Sequence, residues 1–529
     1  METPKEIKDI AGALESAGFE AHLVGGCVRD ILLQEMRTAR GELVEPKDWD
    51  IATNATPEEI QKLFTTFAGA TEAEPATVYE NQFGTVGIKT GSENPALKIV
   101  EVTTYRIEGK YSDKRHPDEV KFAKTIEEDL SRRDFSVNAM AMKLGIMNKE
   151  SGIKNREKKN DDVNSSFITH DSLFNLIDPF NGQLDLKNKI IRAVGDPDAR
   201  FQEDALRIMR AVRFMCQLNF SIDSATETAM EKHAGLLEFV SKERIRDEFM
   251  KLMVTDFAHE GINLMQKIGL LKYVIPELAE GAGVGQNKHH IYSVYEHNVR
   301  SLQYSVEQRY SLEVRIASLL HDVGKPESKR GEGVDCTFYG HQVVGEKLVL
   351  RIGDRLRFPK EMAERIALLV REHMFVYDPE TVTDAGARRL VRRVGKENLE
   401  ALFQLREADR IGSGVPKAQP YRLRHLKFRI EKVSQDPVSA KMLKVNGEDI
   451  IKEAGTQPGP KIGFILSILL EEVLDDPLLN DRDLLVSRIK DLSQLEEKKL
   501  SEMAKFARKS ADEAQTEVEE EIKKKYFVQ

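Results

Sequence analysis

Cysteine is scarce in this chain of 529 residues: three occur, Cys27, Cys216 and Cys336, with no Cys-x-x-Cys spacing among them. That excludes a cysteine-based zinc module and a disulfide scaffold, and it fits a reducing compartment. Long apolar runs are also missing. The most apolar segment, IGFILSILL at 462–470, stops at Glu471 and Glu472, short of the roughly 20 residues that span a bilayer. Nor does the N-terminus look like a signal peptide. An excess of positive charge is the third absence. With a formal net charge of -9, a uniformly basic nucleic-acid coat is excluded, and any nucleic-acid contact must come from local patches. These absences lead us to expect a soluble cytoplasmic protein with no membrane partner.

A chain of this length, 40% of it apolar, exceeds one hydrophobic core and predicts three or more domains. Residues 1–147 mix helical patterns with short β-rich runs (AHLVGG, WDIAT, FGTVGIKT, KIVEVTTYR, FSVNAMAMKL), the alternation of a small α/β domain. The stretch 148–171 begins with NKESGIKNREKKNDDVNSS, polar and lysine-rich, and reads as an insertion or linker. From residue 172 helical periodicity dominates. The end, 492–529, reads as a highly charged helix, solvated or fraying.

Within the first domain, HLVGGCVRDILL (22–33) predicts a strand, a Gly25-Gly26 turn and a helix carrying Arg29. Paired glycines let backbone N–H groups approach a phosphate, and a helix N-terminus adds its positive end. Alone, such a turn also serves as a turn and nothing more. Downstream, KDWDIATNATPEEI (47–60) sets Asp48 and Asp50 two apart on a predicted strand, both on one face. Alone, the pair also fits a solvated turn. Following a glycine turn, it suits Mg²⁺ and a bound triphosphate. Glu101, on the next predicted strand, is a candidate third carboxylate or an ordinary edge-strand glutamate. Arg133 is either a triphosphate donor or a partner of nearby acids.

Taken together, LVGGCVRD, DWDIATNATPEEI, RRDFSVNAMA, DPFNGQLDL and GDPDARFQEDALRIMRAVRF resemble the class II CCA-adding enzymes, the tRNA nucleotidyltransferases that share a catalytic head with bacterial poly(A) polymerases. The resemblance implies an α/β nucleotidyltransferase head with a small mixed, five-stranded sheet, followed by all-α neck, body, HD and tail domains. Boundaries are expected at 1–147 (head), 148–171 (linker), 172–235 (neck, base recognition), 236–290 (body), 291–415 (HD), 416–491 (tRNA-binding tail) and 492–529 (charged helix). It further implies Mg²⁺ at Asp48 and Asp50, and tRNA, CTP and ATP as partners rather than DNA.

The segment 201–214 reads as one helix on which Asp204 and Arg207 are neighbours and Arg210 and Arg213 continue the stripe. Such a face also fits a surface salt-bridge set. Cytosine and adenine both pair an exocyclic amine with a ring-nitrogen acceptor on the Watson–Crick edge, whereas uracil and guanine place a carbonyl beside an N–H there. A fixed acceptor beside a fixed donor would accept C and A and leave buried groups unpaired against U and G. The resemblance implies this role for Asp204 and Arg207, with Arg210 and Arg213 holding the nucleotide. It also ties the switch from CTP to ATP to a loop after the carboxylate strand; here that loop (106–122, with Asp113 and Arg115) is long, which favours addition of both C and A.

Farther on, His297, the pair His321-Asp322, and Asp409 follow the order of the HD phosphohydrolase superfamily, and His341 and His373 match the extra ligands of its two-metal members. Imidazoles and carboxylates in such a set suit a divalent transition metal. That resemblance implies water activation against phosphoesters. Basic clusters ARRLVRRVGK (387–396) and YRLRHLKFR (421–429) are candidates for RNA phosphates, or cationic solvent faces of amphipathic helices. Poly(A) synthesis, CC-only or A-only addition, a chiefly HD-based hydrolase and a non-catalytic RNA-binding protein remain open alternatives.

Overall fold

The computed structural model describes residues 3–37, 46, 48–65, 77–80, 84–108, 120–143, 167–169, 172–286, 291–434, 443–455 and 457–528. The expected insertion at 148–166, and Asp113 and Arg115 of the long loop, lie outside them. The chain divides into two compact units, Met1–Ala367 and Leu368–Gln529.

The first unit is built on a mixed sheet. Its strands are β1 (His22–Val24), β2 (Asp50–Thr53), β3 (Thr77–Glu80), β4 (Thr85–Lys89), β5 (Ile99–Thr104), β8 (Ala141–Lys143), β9 (Phe167–Thr169) and β10 (Ser172–Ile177), while β6 (Arg106–Glu108) and β7 (Val120–Phe122) form a separate hairpin. The order β3-β4-β5-β2-β1-β8-β10-β9 has eight strands rather than five. Strands β9 and β10 account for part of the difference. Phe167–Thr169 falls inside the stretch expected as a linker, and Ser172–Ile177, expected to open the neck, pairs with β8, so the sheet continues past residue 172.

Within this sheet, among the described residues, only β2 and β5 pair in parallel, in a register that sets Asp50 opposite Glu101. Ile51, Ala52 and Thr53 are buried, and Val24, Ala52, Tyr105, Leu130 and Ala141 share one core cluster. The apolar residues of β1, β2 and β8 thus anchor the strands while their ends carry the polar groups. After β2 the chain turns sharply into a helix, Pro57–Leu63. Thr56 and Glu59 cap it reciprocally: Thr56 Oγ1 accepts from the Glu59 N–H at 3.3 Å and Glu59 Oε2 accepts from the Thr56 N–H at 2.8 Å, satisfying donors that a helix start leaves open.

Beyond the sheet the first unit is mostly helical, with one short parallel pair, Ile190–Ile191 and Ser221–Ile222. The stretch 201–214 is not one helix: Pro197–Glu203 ends where Asp204 turns extended (φ -142, ψ 102), and a new helix covers Leu206–Leu218. Among its described residues the second unit is all-helical. Its core gathers Ile450, Ile465, Leu469, Leu485, Ile489 and Leu500. Its last helix, Glu497–Tyr526, was expected to be solvated or fraying, yet Leu500 and Ala504 join that core, and Ile522 packs with Phe428 and Val528. Glu519 pairs with Lys432 at 2.5 Å and Lys525 with Glu431 at 2.8 Å. Apolar residues at helical spacing hold the helix down despite its charge. Among the described residues no helix is long and apolar enough to cross a membrane.

Candidate active site and metal centre

The glycine turn forms as its residue types require. Gly25 has φ +76, a region that costs L-residues strain, and a Cβ there would lie 2.9 Å from Arg133 Nη1 and 3.8 Å from Asp50 Oδ2. The helix Gly26–Arg37 starts at once, so its first N–H groups open beside the carboxylates. One correction applies to the pair that follows: Asp50 opens β2, but Asp48 precedes the strand and is exposed. Their shared orientation therefore comes from a loop feeding a strand, not from strand alternation. Both line one cavity of about 950 Å³ together with Gly25, Gly26, Arg29, Arg133, Asp204, Arg207, Arg210 and Arg213. Glu101 stands one strand over from Asp50.

Electrostatics mark Asp50. Burial pushes its carboxyl up to about 6, against the pull of Arg133 and with Glu101 and Asp48 adding repulsion. A half-buried carboxylate repelled by two exposed ones, Asp48 and Glu101, favours a cation beside it, so Asp50 with Asp48 fits a hard divalent metal, Glu101 standing one strand away. Around them the cavity wall carries eight arginines and Lys251 against five aspartates, a surplus of positive charge suited to a polyanion.

The arginines are held in place by named partners. Arg29 donates to Asn138 Oδ1 at 2.9 Å and to Asp30 at 2.8 Å. Arg133 reaches Asp129 at 3.2 Å. Arg210 pairs with Asp134 at 2.6 Å, and Arg213 with Glu248 at 2.6 Å while lying 3.9 Å from the Phe214 ring centroid. Burial opposes the charge on Asp134, but Arg210 and the hydrogen bond from Asn138 prevail and hold it down at about 2. At the base-selecting positions, Asp204 caps the Leu206 N–H at 3.1 Å and receives Arg244 on both oxygens, at 2.7 and 3.3 Å. Arg207 is clamped by Glu203 at 2.6 Å and by the carbonyls of Arg200 and Arg132, each at 3.1 Å. Sequence reasoning missed Arg244, Asn138 and Glu248. The RRDFSVN spacing of Asp134 and Asn138, four apart, was a signal for Asn138; nothing local marks Arg244, 40 residues from its partner.

A second constellation forms in the first unit. His297 Nε2 and His321 Nε2 are 2.9 Å apart, and Asp322 lies 3.3 Å from His297, 3.4 Å from His321 and 3.3 Å from His341. The ligand atoms of His297, His321 and Asp322 all fall within 4.8 Å of one another, so this group could hold a metal ion. His321 donates its Nδ1–H to the Ser318 carbonyl and His341 to that of Phe338, which leaves each Nε2 as the lone-pair nitrogen a metal requires. Burial works against a charge on Asp322, but Lys325, 2.6 Å away, and a hydrogen bond from His297 keep its carboxyl well below the usual range. The donor set fits a divalent transition metal. His373 and Asp409 belong to the second unit. There His373 donates its Nδ1–H to the Val370 carbonyl and Asp409 pairs with Arg406 at 2.5 Å.

A glycine turn between strand and helix, carboxylates on adjacent strands and an arginine-lined cavity are the parts of a nucleotidyltransferase head. Known families agree: "Poly A polymerase head domain" matches residues 21–192, "Probable RNA and SrmB- binding site of polymerase A" 219–281, "HD domain" 294–413 and "tRNA nucleotidyltransferase domain 2 putative" 357–489. A CCA-adding enzyme of Ligilactobacillus salivarius is 31% identical over 500 residues, 94% of this chain and 98% of that protein. One from Listeria monocytogenes is 41% identical over 261 residues, 49% of this chain and 53% of that protein, and an A-adding tRNA nucleotidyltransferase of Deinococcus radiodurans is 33% identical over 359 residues, 65% and 75%. The chain belongs to the CCA-adding enzyme family. Its fold resembles the solved CCA-adding enzyme of Bacillus stearothermophilus in complex with CTP, with TM-score 0.51 and 24% identity over 92% of this chain and 98% of that one, and that of Thermotoga maritima complexed with tRNA, with TM-score 0.51 and 19% identity over 91% and 93%.

Proposed function

We propose that the protein adds CCA to the 3′ ends of tRNA from CTP and ATP without a nucleic-acid template, in the cytoplasm. The observation that carries this reading is one cavity holding the Asp48/Asp50 pair, the Gly25-Gly26 turn and the Asp204/Arg207 pair together. Asp48 and Asp50, with Glu101 beside them, would hold Mg²⁺, which lowers the pKa of an attacking hydroxyl and neutralises a triphosphate. Gly25, Gly26, Arg29 and Arg133 hold the triphosphate through backbone N–H groups and guanidinium donors. Arg210 and Arg213, seated by Asp134 and Glu248, close the cationic wall around the nucleotide. Asp204 accepts the exocyclic amine of C or A. A carboxylate has about four acceptor sites, enough to serve Leu206, Arg244 and a base together. Arg207 donates to the ring nitrogen. In domain terms the head would extend through β10, and the Asp204/Arg207 region acts as the neck.

Incubation of the protein with a tRNA lacking its terminus, Mg²⁺, CTP and ATP, followed by sequencing of the 3′ end, tests this. Three added residues, CCA, are expected, and none with the Asp48→Ala variant. An adenosine ladder would mark a poly(A) polymerase. A halt at CC, or a single A added only to tRNA ending in CC, would mark a partial enzyme.

A second reading concerns the same chain, not a rival. The converging His297, His321, Asp322 and His341 side chains support a metal-dependent phosphohydrolase centre acting on phosphoesters, with a divalent transition metal supplying an activated water. Metal-stimulated hydrolysis of a generic phosphodiester, lost in Asp322→Ala while CCA addition persists, is the expected result.

A further inference from the structure

The helix Asp384–Val394 in the second unit turns Ala387, Leu390 and Val394 inward and leaves Arg388, Arg389 and Arg392 exposed. Among the described residues none of these three arginines has an ion pair or hydrogen bond from its side chain. Their neighbours differ. Arg393 pairs with Glu372 at 3.0 Å, and on the helix Tyr421–Ser434 Arg429 pairs with Asp384 at 2.9 Å, Lys427 with Glu407 at 3.1 Å and Lys432 with Glu519 at 2.5 Å. The second of the two basic clusters is therefore spent on the fold of its own unit. The first retains three cations with no structural use.

Keeping them together is unfavourable for the helix itself. Arg388 and Arg392 stand four apart and Arg389 and Arg392 three apart, so like charges are stacked on one face. The helix dipole favours a cation in the last turn, which accounts for Arg392 but not for Arg388 or Arg389 in the middle. In a chain of net charge -9, an unneutralised arginine face calls for an external anion. The exposed face carries no large apolar side chain, since its leucine and valines point inward or are half-buried, so it lacks the wedge of a membrane-surface helix. Guanidinium groups one turn apart, without flanking base-reading amides, suit successive phosphates of a nucleic-acid strand, a contact that positions without reading sequence.

We propose that Arg388, Arg389 and Arg392 form a contact for the sugar-phosphate backbone of the tRNA substrate. This rests on the function proposed above. An enzyme serving tRNAs of many sequences gains affinity from such a contact at no cost in generality.

The test is a variant combining Arg388→Gln, Arg389→Gln and Arg392→Gln, compared with wild type for binding to a tRNA lacking CCA across a salt series. Each phosphate contact contributes about 0.7–0.9 to the slope of log K against log salt, so the slope should flatten by about 2. The KM for tRNA should rise while the KM for CTP and kcat at saturating tRNA hold. The triple Arg→Lys variant should recover most of the slope. An unchanged slope and KM for tRNA in a variant with unaltered circular dichroism overturns the proposal. Wild-type protein that neither binds nor extends tRNA defeats the proposed function instead. Should the triple variant lose its fold, the single Arg→Gln changes replace it: each is expected to flatten the slope by about 1, and three unchanged slopes overturn the proposal equally.

Discussion

Asp50→Asn should stabilise the protein and abolish its activity, and the size of the stabilisation follows from the site. In the metal-free protein the Asp50 carboxyl is lifted from an ordinary 3.8 to about 6, first by burial and then by the repulsion of Glu101 and Asp48, with Arg133 only partly offsetting them. The native state therefore holds this proton more tightly than the unfolded chain does. Native stability falls as pH climbs from about 4 to about 6 and stays reduced above that range. Converted at about 1.4 kcal/mol per pH unit, the penalty at pH 7 has an upper bound of about 3 kcal/mol, and solvent reaching a half-buried group brings the expectation to about 2 kcal/mol. Asparagine keeps the shape and removes the charge. The assay is thermal unfolding without divalent ions at several pH values. Near pH 7.5 the variant's transition for the first unit should lie about 2–3 °C above that of wild type, and the gap should close near pH 4. Added Mg²⁺ should raise the wild-type transition and leave the variant's unmoved. A variant no more stable than wild type at neutral pH, or a gap that does not change with pH, would refute the account of Asp50 as a carboxylate strained for want of a cation.

Three further outcomes follow from the geometry. Gly25→Ala places a methyl 2.9 Å from Arg133 Nη1 at φ +76; backbone strain of about 1–2 kcal/mol and a displaced guanidinium should raise the KM for both CTP and ATP roughly tenfold or more, with the KM for tRNA unchanged in steady-state assays. Arg244→Ala removes the two hydrogen bonds that orient Asp204, so discrimination against UTP, measured by competition, should fall by about tenfold or more; intact discrimination would mean Asp204 needs no such support. Asp322→Ala should leave CCA addition at wild-type rate while metal bound per protein, measured by elemental analysis, declines.

Much of the site is legible in the residues because its parts are local. Gly25-Gly26 and Arg29 sit within five positions, Asp48 and Asp50 within three, and the predicted strand at 98–106 brings Glu101 alongside. What escapes is decided by distant partners. The helix break at Asp204 has no glycine or proline to announce it; it forms where the Asp204 side chain caps Leu206 and binds Arg244. The two added strands escape because a long polar insertion separates them from β8, with which β10 pairs. Charge alone misleads at the last helix, where Glu519 meets a lysine 87 positions earlier. In the histidine cluster the residue order is visible, but the tautomer is not, since it depends on carbonyls three residues back, that of Ser318 within a helix and that of Phe338 in the loop before one.

That last helix also bears on how the second unit is made. Arg424 donates to the carbonyls of Tyr526 and Phe527, about a hundred positions later in the chain, and Lys432 waits as long for Glu519. Closure across so long a separation is slow relative to forming the helices themselves. During synthesis the helix Tyr421–Ser434 therefore emerges with Lys427 and Arg429 able to meet Glu407 and Asp384, made earlier, but with Arg424, Lys432 and Phe428 still waiting for partners from the chain's last helix. Only when the last helix arrives do Arg424, Lys432 and Phe428 meet their partners Tyr526, Glu519 and Ile522. The last stretch to be made thus completes the contacts of one basic helix, while Arg388, Arg389 and Arg392 of the other stay exposed.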